Sequence, residues 1–263
     1  MKYLLSLFAL CLCVLALAQN SSSSIPHTLI SDTPPKGYMG IGAGVLVFRD
    51  VPVVDEIGIY GVDIVAGYND YEKIGIHFKT VVGPFQDLVP EVRTPATSTL
   101  VQFHGAYHFS RSVSRQPINI TLKTETQSNA VRTTETNYYT KLETNSISLI
   151  SVRGGGIYDN LSISGFVGGQ YTVTKYAKAD FGNAYGTKYG WTELSGYVDL
   201  IFVASHNELQ ENIEIADGRP ADPELGYRIG AQLRISDFLQ FQVGIGKRQY
   251  NFLEAGGRIN FGL

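Results

Sequence analysis

From Lys36 onward, apolar and polar residues alternate with a period of two, in segments separated by turn-forming residues. Successive strand side chains point to opposite faces, so this period predicts β-strands with one apolar face each. Gly37–Arg49 sets Met39, Ile41, Ala43, Val45 and Val47 against Gly40, Gly42 and Gly44. Ile57–Asn69 sets Tyr60, Val62, Ile64, Ala66 and Tyr68 against Asp63, Gly67 and Asn69. Glu72–Gly83 sets Ile74, Ile76, Phe78 and Val82 against Lys73, His77 and Lys79, and Thr97–Ser110 sets Val101, Phe103, Tyr107 and Phe109 against Gln102, His104 and His108. Ile118–Thr126 and a segment ending near Val152 flank a Thr-rich stretch. Leu161–Lys175, Trp191–Ser205, Leu225–Ile235, Leu239–Arg248 and Leu253–Leu263 continue the series, with Glu193, Asp199, Arg228, Arg234, Glu254 and Arg258 on polar faces.

A soluble β-sandwich and a transmembrane β-barrel share this alternation. The segments run 10–15 residues, whereas soluble strands peak at about 5–6. Their polar faces mix charge with glycine, and the last strand alternates to Leu263. These features favour the barrel, with the apolar face toward lipid and a polar lumen. Tyr60 and Tyr68 share one apolar face, about 26 Å apart along a strand. A tilt near 40° brings that to about 20 Å along the membrane normal, which suits two aromatic girdles around a ~25 Å apolar band. Phe103 and Tyr107 join them as lipid-facing aromatics. Eleven segments are clear, and bacterial single-chain barrels have an even number of strands. Counting Leu209–Ala216 as a hidden strand gives an all-β, closed antiparallel barrel of twelve strands, with ten as the alternative. Residues 36–263 then form one domain behind a Ser/Pro-rich, flexible periplasmic lead-in at 19–35.

Composition sharpens this reading. Charged residues are 17% of the chain and the net charge is −3, so no basic field points to nucleic acid. Mean hydropathy is −0.01, which excludes a bundle of long apolar helices. The first 18 residues read as a cleaved signal peptide: Lys2, an apolar run from Tyr3 to Leu17, then Ala16-Leu17-Ala18 ahead of Gln19. The run is short for a membrane anchor. Cys11 and Cys13 follow leucines, unlike a lipoprotein site, and both leave with the signal. Thiol and zinc-thiolate chemistry are therefore not expected in the mature chain.

The signal ending at Ala18-Gln19, the Gly/Tyr-rich hairpins and the terminal strand Gly256–Phe261 (GGRINF) resemble bacterial outer-membrane β-barrel proteins, most closely the small porin-like type. The resemblance covers Lys36–Leu263. It implies a Gram-negative outer membrane, contact with its lipids, recognition of the last strand by the assembly machinery, and passive passage of small solutes. Such proteins often end on an aromatic residue; this chain ends on Leu263, with Phe261 two before it.

Candidate chemistry lies on the polar faces. A symmetric loop at 85–96 would pair His77 with His104 and Lys73 with His108. Two opposed imidazoles could share a metal or a proton, but no third ligand is evident, and ordinary polar pairing is the simpler reading. No metal or cofactor is expected. Arg228, Arg234, Arg248 and Arg258 project inward from the last three strands. They read either as an anion-attracting pore wall or as a salt-bridge network with Asp63, Glu193, Asp199 and Glu254. Glu254 would face Arg248 if their turn centred on Asn251. His108-Phe109-Ser110 has the same-face spacing of a Ser/His lipid hydrolase, a minor reading beside a non-enzymatic barrel. The Thr-rich hairpin between Asn119 and Thr144 reads as an exterior ribbon, either a plain loop or an edge for a protein partner.

Overall fold

The computed structural model describes residues 25–52, 55–84, 97–128, 133–217, 225–235 and 239–262. The signal segment, the 85–96 loop, the Ser236-Asp237 turn and Leu263 lie outside these residues. The strands are β1 (Thr28–Ser31), β2 (Gly37–Val51), β3 (Asp55–Asn69), β4 (Ile74–Pro84), β5 (Thr97–Ser128), β6 (Thr133–Asp159), β7 (Ser162–Asp180), β8 (Thr187–His206), β9 (Leu225–Ile235), β10 (Leu239–Lys247) and β11 (Asn251–Gly262). A single α-helix among the described residues, α1 (Glu208–Asp217), follows β8, and a 3-10 turn at Gly182–Ala184 lies between β7 and β8.

Each strand from β2 to β11 pairs antiparallel with the next, and β11 closes on β2 from Tyr38↔Gly262 to Arg49↔Asn251. The result is a ten-stranded closed barrel, with β1 added to the outer edge of β7. The expected count of twelve fails for two reasons. Thr97–Ser110 and Ile118–Thr126 are parts of one 32-residue strand, β5. Leu209–Ala216 is helical, because a Glu-rich stretch with Leu209 and Ile213 four apart presents one apolar stripe at helical spacing. Within the expected flexible lead-in, Thr28–Ser31 is instead paired with Lys178–Asp180.

The start of β2, the end of β11 and the strand ends where β3 meets β4, β5 meets β6, β7 meets β8 and β9 meets β10 lie at one rim, the terminal rim. The strand ends where β2 meets β3, β4 meets β5, β6 meets β7 and β10 meets β11 lie at the other, the helical rim, with α1. The apolar faces read from the alternation point outward: Met39, Ile41, Val62, Ile64, Ile76, Phe78, Val167, Val198, Leu200, Ile229, Phe241 and Ile259 are all exposed. An exposed apolar surface of this extent marks a face for interaction with protein or membrane.

The interior is layered rather than uniformly polar. Toward the helical rim, inward Leu46, Phe48, Ile57, Ile59, Leu100, Ile157 and Phe166 form an apolar core, and α1 stoppers it with Leu209 and Ile213. Charged groups fill the middle. Toward the terminal rim, Tyr71, Ile147, Leu149, Tyr176 and Trp191 make an aromatic layer. Beyond β4 the β5–β6 hairpin leaves the ring as a ribbon. A bulge between His108 and Ser110 marks the exit, and such a bulge bends the strand that carries it. The ribbon's Ile118, Ile120, Leu122 and Leu142 pack on Ala177, Ala179 and Phe181 of the β7–β8 hairpin, making a second small core outside the barrel. Gly190 permits this approach, since a Cβ there would lie 3.1 Å from the Asn119 carbonyl and 3.2 Å from Ile120.

Candidate functional site

The inward charges meet in the barrel's waist. Asp199 on β8 is the hub. Arg153 of β6 donates to it through Nε (2.9 Å) and Nη2 (3.0 Å), and Arg228 of β9 through Nε (2.9 Å) and Nη2 (2.7 Å). Arg228 also lies 3.6 Å from Glu254 on β11, and Lys79 of β4 donates to Glu254 at 2.6 Å. Lys79 and Arg258 flank Asp63 at 3.9 and 3.5 Å. The chain Arg153–Asp199–Arg228–Glu254–Lys79–Asp63–Arg258 thus runs across the lumen through six strands. Phe166 and Tyr197 supply ring faces to the guanidiniums: Arg153 sits 4.1 Å over Tyr197 and Arg228 4.9 Å over Phe166. Gln102 accepts from Arg228 at 2.9 Å, and Gln242 accepts from Arg258 at 2.5 Å.

Small residues make room for these groups. A Cβ on Gly42 would lie 2.0 Å from the Gly257 carbonyl, and one on Gly168 2.3 Å from an Asp199 carboxylate oxygen. The glycines opposite the apolar faces are thus the space into which arginines and carboxylates fold.

The sequence-identified residues fall as follows. Arg228, Arg234, Arg248, Arg258, Glu254, Asp63, Asp199, His77 and His104 are all buried inside the barrel, and Glu193 is half-buried on its inner wall. Tyr60, Tyr68, Phe103 and Tyr107 are 40%, 41%, 52% and 59% exposed, on the outer face. Arg228, Arg258, Glu254, Asp63 and Asp199 join the waist network. Arg234 is separate: it stacks 3.8 Å over Trp191 and lies opposite Glu193 in register. Arg248 is separate too. It pairs with Asp159, not with Glu254, because the β10–β11 register sets Glu254 opposite Gly244. The turn centres two residues earlier than the alternation suggested.

Lys79, Arg153, Asp159, Gln102 and Gln242 complete the site, and none stood out in the sequence. Arg153 and Asp159 flank Gly154-Gly155-Gly156, where apolar alternation disappears and the period cannot be followed. Lys79 and the glutamines lay on recognised polar faces. What singles them out is their meeting across the lumen, and the barrel's diameter decides that.

The histidines line a cavity of about 60 Å³ between the waist and the terminal rim, with Tyr38, Gln102, Arg153, Gln170, Glu193 and Tyr197. His77 and His104 are register partners, with ring centres 4.8 Å apart, and Tyr38 O–H lies 2.6 Å from His77 Nδ1. Among the described residues there is no group of three side chains suited to hold a metal.

His108 and Ser110 do not face each other. The bulge at Phe109 turns His108 inward, opposite Ser151, and Ser110 outward, opposite Ile150. The hydrolase pairing expected from their spacing is therefore broken. His108 instead bridges Ser151 and Asn69. Asn69 Oδ1 accepts from Tyr71 N–H (2.8 Å) and from His108 Nε2 (3.0 Å), which leaves Nδ1 to accept from Ser151 O–H at 2.6 Å. Nucleophile, base and orienter are all present, but Ser151 is sealed in the wall. The adjoining cavity of about 60 Å³ has room for a few water-sized molecules rather than an ester. The arrangement ties β3, β5 and β6 together.

No family model and no curated protein matches the chain. Among solved structures, two mutants of the Rhodopseudomonas blastica porin are similar in outline. One is 12% identical, covering 85% of this chain and 99% of that one, with a TM-score of 0.25. The other is 12% identical, covering 90% and 100%, with a TM-score of 0.24. At these scores the backbones do not superpose as one fold, and the barrel assignment stands on the strand pairings.

Proposed function

We propose that this protein is a bacterial outer-membrane β-barrel with a filled lumen. It acts as a closed, membrane-embedded body that presents its ribbon and β1 at one rim, and not as an open solute pore. One contrast carries the reading: an apolar, aromatic-bearing surface outside, and seven ion-paired side chains crossing the waist inside. A water-filled channel would leave such charges solvated, whereas these are withdrawn from water on every side. Both described chain ends lie at the terminal rim. Bacterial barrels keep their termini in the periplasm, which would make the ribbon periplasmic rather than exterior.

Membrane embedding is testable on β8. Nitroxides placed singly at Leu194, Val198 and Phe202 of refolded protein in lipid vesicles should be relaxed by oxygen and shielded from a polar nickel reagent. Accessibility to the nickel reagent at all three would point to a soluble sandwich. Heat-modifiable mobility on SDS gels is the accompanying expectation.

A second reading concerns the ribbon. Among the described residues, no strand pairs with the outer edge of β5 beyond Tyr107, so Ser112–Pro117 offers an open edge for strand addition. A photo-crosslinker at Ser114 should then give a discrete adduct in cells; its absence would leave the ribbon a rim element only.

A further inference from the structure

The buried charges of the lumen do not balance. Among the described residues, six cations are enclosed: Lys79, Arg153, Arg228, Arg234, Arg248 and Arg258. They meet five carboxylates: Asp63, Asp159, Asp199, Glu254 and the half-buried Glu193. Two pairs stand apart, Arg248 with Asp159 and Arg234 opposite Glu193. The connected waist network is left with four cations and three carboxylates. Lys79 is ion-paired with Glu254 at 2.6 Å and Asp63 at 3.9 Å, and guanidinium groups do not deprotonate in proteins. One positive charge in a low-dielectric interior therefore lacks a counter-charge, an arrangement strongly disfavoured unless something compensates it.

The place for compensation is next to the network. The cavity of about 60 Å³ borders it through Arg153, Gln102 and Gln242. In its wall, His104 Nδ1 is buried with no hydrogen-bond partner. Gln102 spends its carbonyl on Arg228, which leaves its amide N–H groups as donors beside the space. Arg258 Nε and Nη1 are also unpartnered in the same network. A metal cation is the wrong occupant, because the adjoining network is already in positive excess. Glu193, the one carboxylate on the wall, is engaged by Tyr71.

We propose that the cavity binds one small monovalent anion, of chloride or formate size, which completes the charge balance of the barrel's waist. A space with room for about four waters excludes sugar acids and lipid phosphates. The proposal rests on the closed lumen proposed above and is independent of what the ribbon does.

The test is thermal unfolding of the full refolded chain in neutral detergent at fixed ionic strength. Chloride, bromide or formate should raise Tm saturably above its value in gluconate, which is too large to enter. A response to halides alone assigns a halide; a response to formate as well assigns a site open to small carboxylates. Gln102→Glu places a carboxylate in the wall, and should abolish the anion dependence while keeping Tm at or above the wild-type value in chloride. Equal wild-type Tm in chloride and gluconate would overturn the proposal, as would full anion dependence in Gln102→Glu. If that variant does not fold, bromide-soaked wild-type crystals decide the matter. Anomalous density beside His104 supports the site, and density at the surface alone overturns it.

Discussion

Asp199 is the residue on which the waist depends, because two guanidiniums converge on one carboxylate. Removing one partner of a buried ion pair leaves the other charge uncompensated and typically costs 3–5 kcal/mol. Asp199→Ala should therefore lower unfolding free energy by about 3–5 kcal/mol in a urea titration in detergent. A loss under about 1 kcal/mol would mean that the network is solvated. Asp70, in the β3–β4 turn, offers a pH test. Partial burial pushes its carboxyl up, but the amides of Glu72, Ile74 and Lys73 donate to it and together hold it below its ordinary value. A depressed carboxylate contributes stability that is complete above the unfolded value, near pH 4, and is lost as pH falls through the lower folded value. Asp70→Asn should lower Tm at neutral pH and flatten its fall below about pH 4, so that the two proteins converge in acid. At this scale the sequence was informative about direction: a period of two told which way Arg228, Arg258, Asp63 and Tyr60 point. It could not tell partners. Arg248 and Glu254 were mismatched by a turn displaced two residues, and the bulge at Phe109 reversed the face of Ser110.

Elements explain how the ends are closed. α1 caps the apolar layer with Leu209 and Ile213, but the charged waist lies beneath it, so the helix is a stopper over a packed interior. Ile213→Asp should destabilise the helical rim without opening a pore, read as increased proteolysis in α1 with no ion conductance. The ribbon depends on its own core. Ile120→Asp would bury a lone carboxylate among Leu142, Ala177 and Phe181, and should free the ribbon from the β7–β8 hairpin. Limited proteolysis should then cut the ribbon while the barrel keeps its heat-modifiable mobility; loss of both together would make the two cores one cooperative unit. The sequence resolved nearly every barrel strand, because an exposed apolar outer face and a packed, largely polar inner face enforce strict alternation. It failed where one face changes its neighbour. Leu46, Phe48, Ile57 and Ile59 are apolar on the inner face as well, and α1 has enough apolar residues to pass for a strand.

At the scale of the molecule, diameter decides whether opposite walls can meet. Ten strands bring side chains from opposite walls within reach, so long polar residues meet and pair instead of lining water. Twelve strands would have separated them. This is why the choice between pore wall and salt-bridge network could not be made from alternation, which is the same in both. On this reading a membrane-spanning barrel is closed by its own waist. The most direct measurement is single-channel recording of the refolded full chain in planar bilayers. We predict stable incorporation with no conductance steps, in the wild type and in Ile213→Asp alike. Reproducible steps in the wild type, altered in ion selectivity when Arg228 and Arg258 are neutralised, would contradict the closed lumen and restore the open pore.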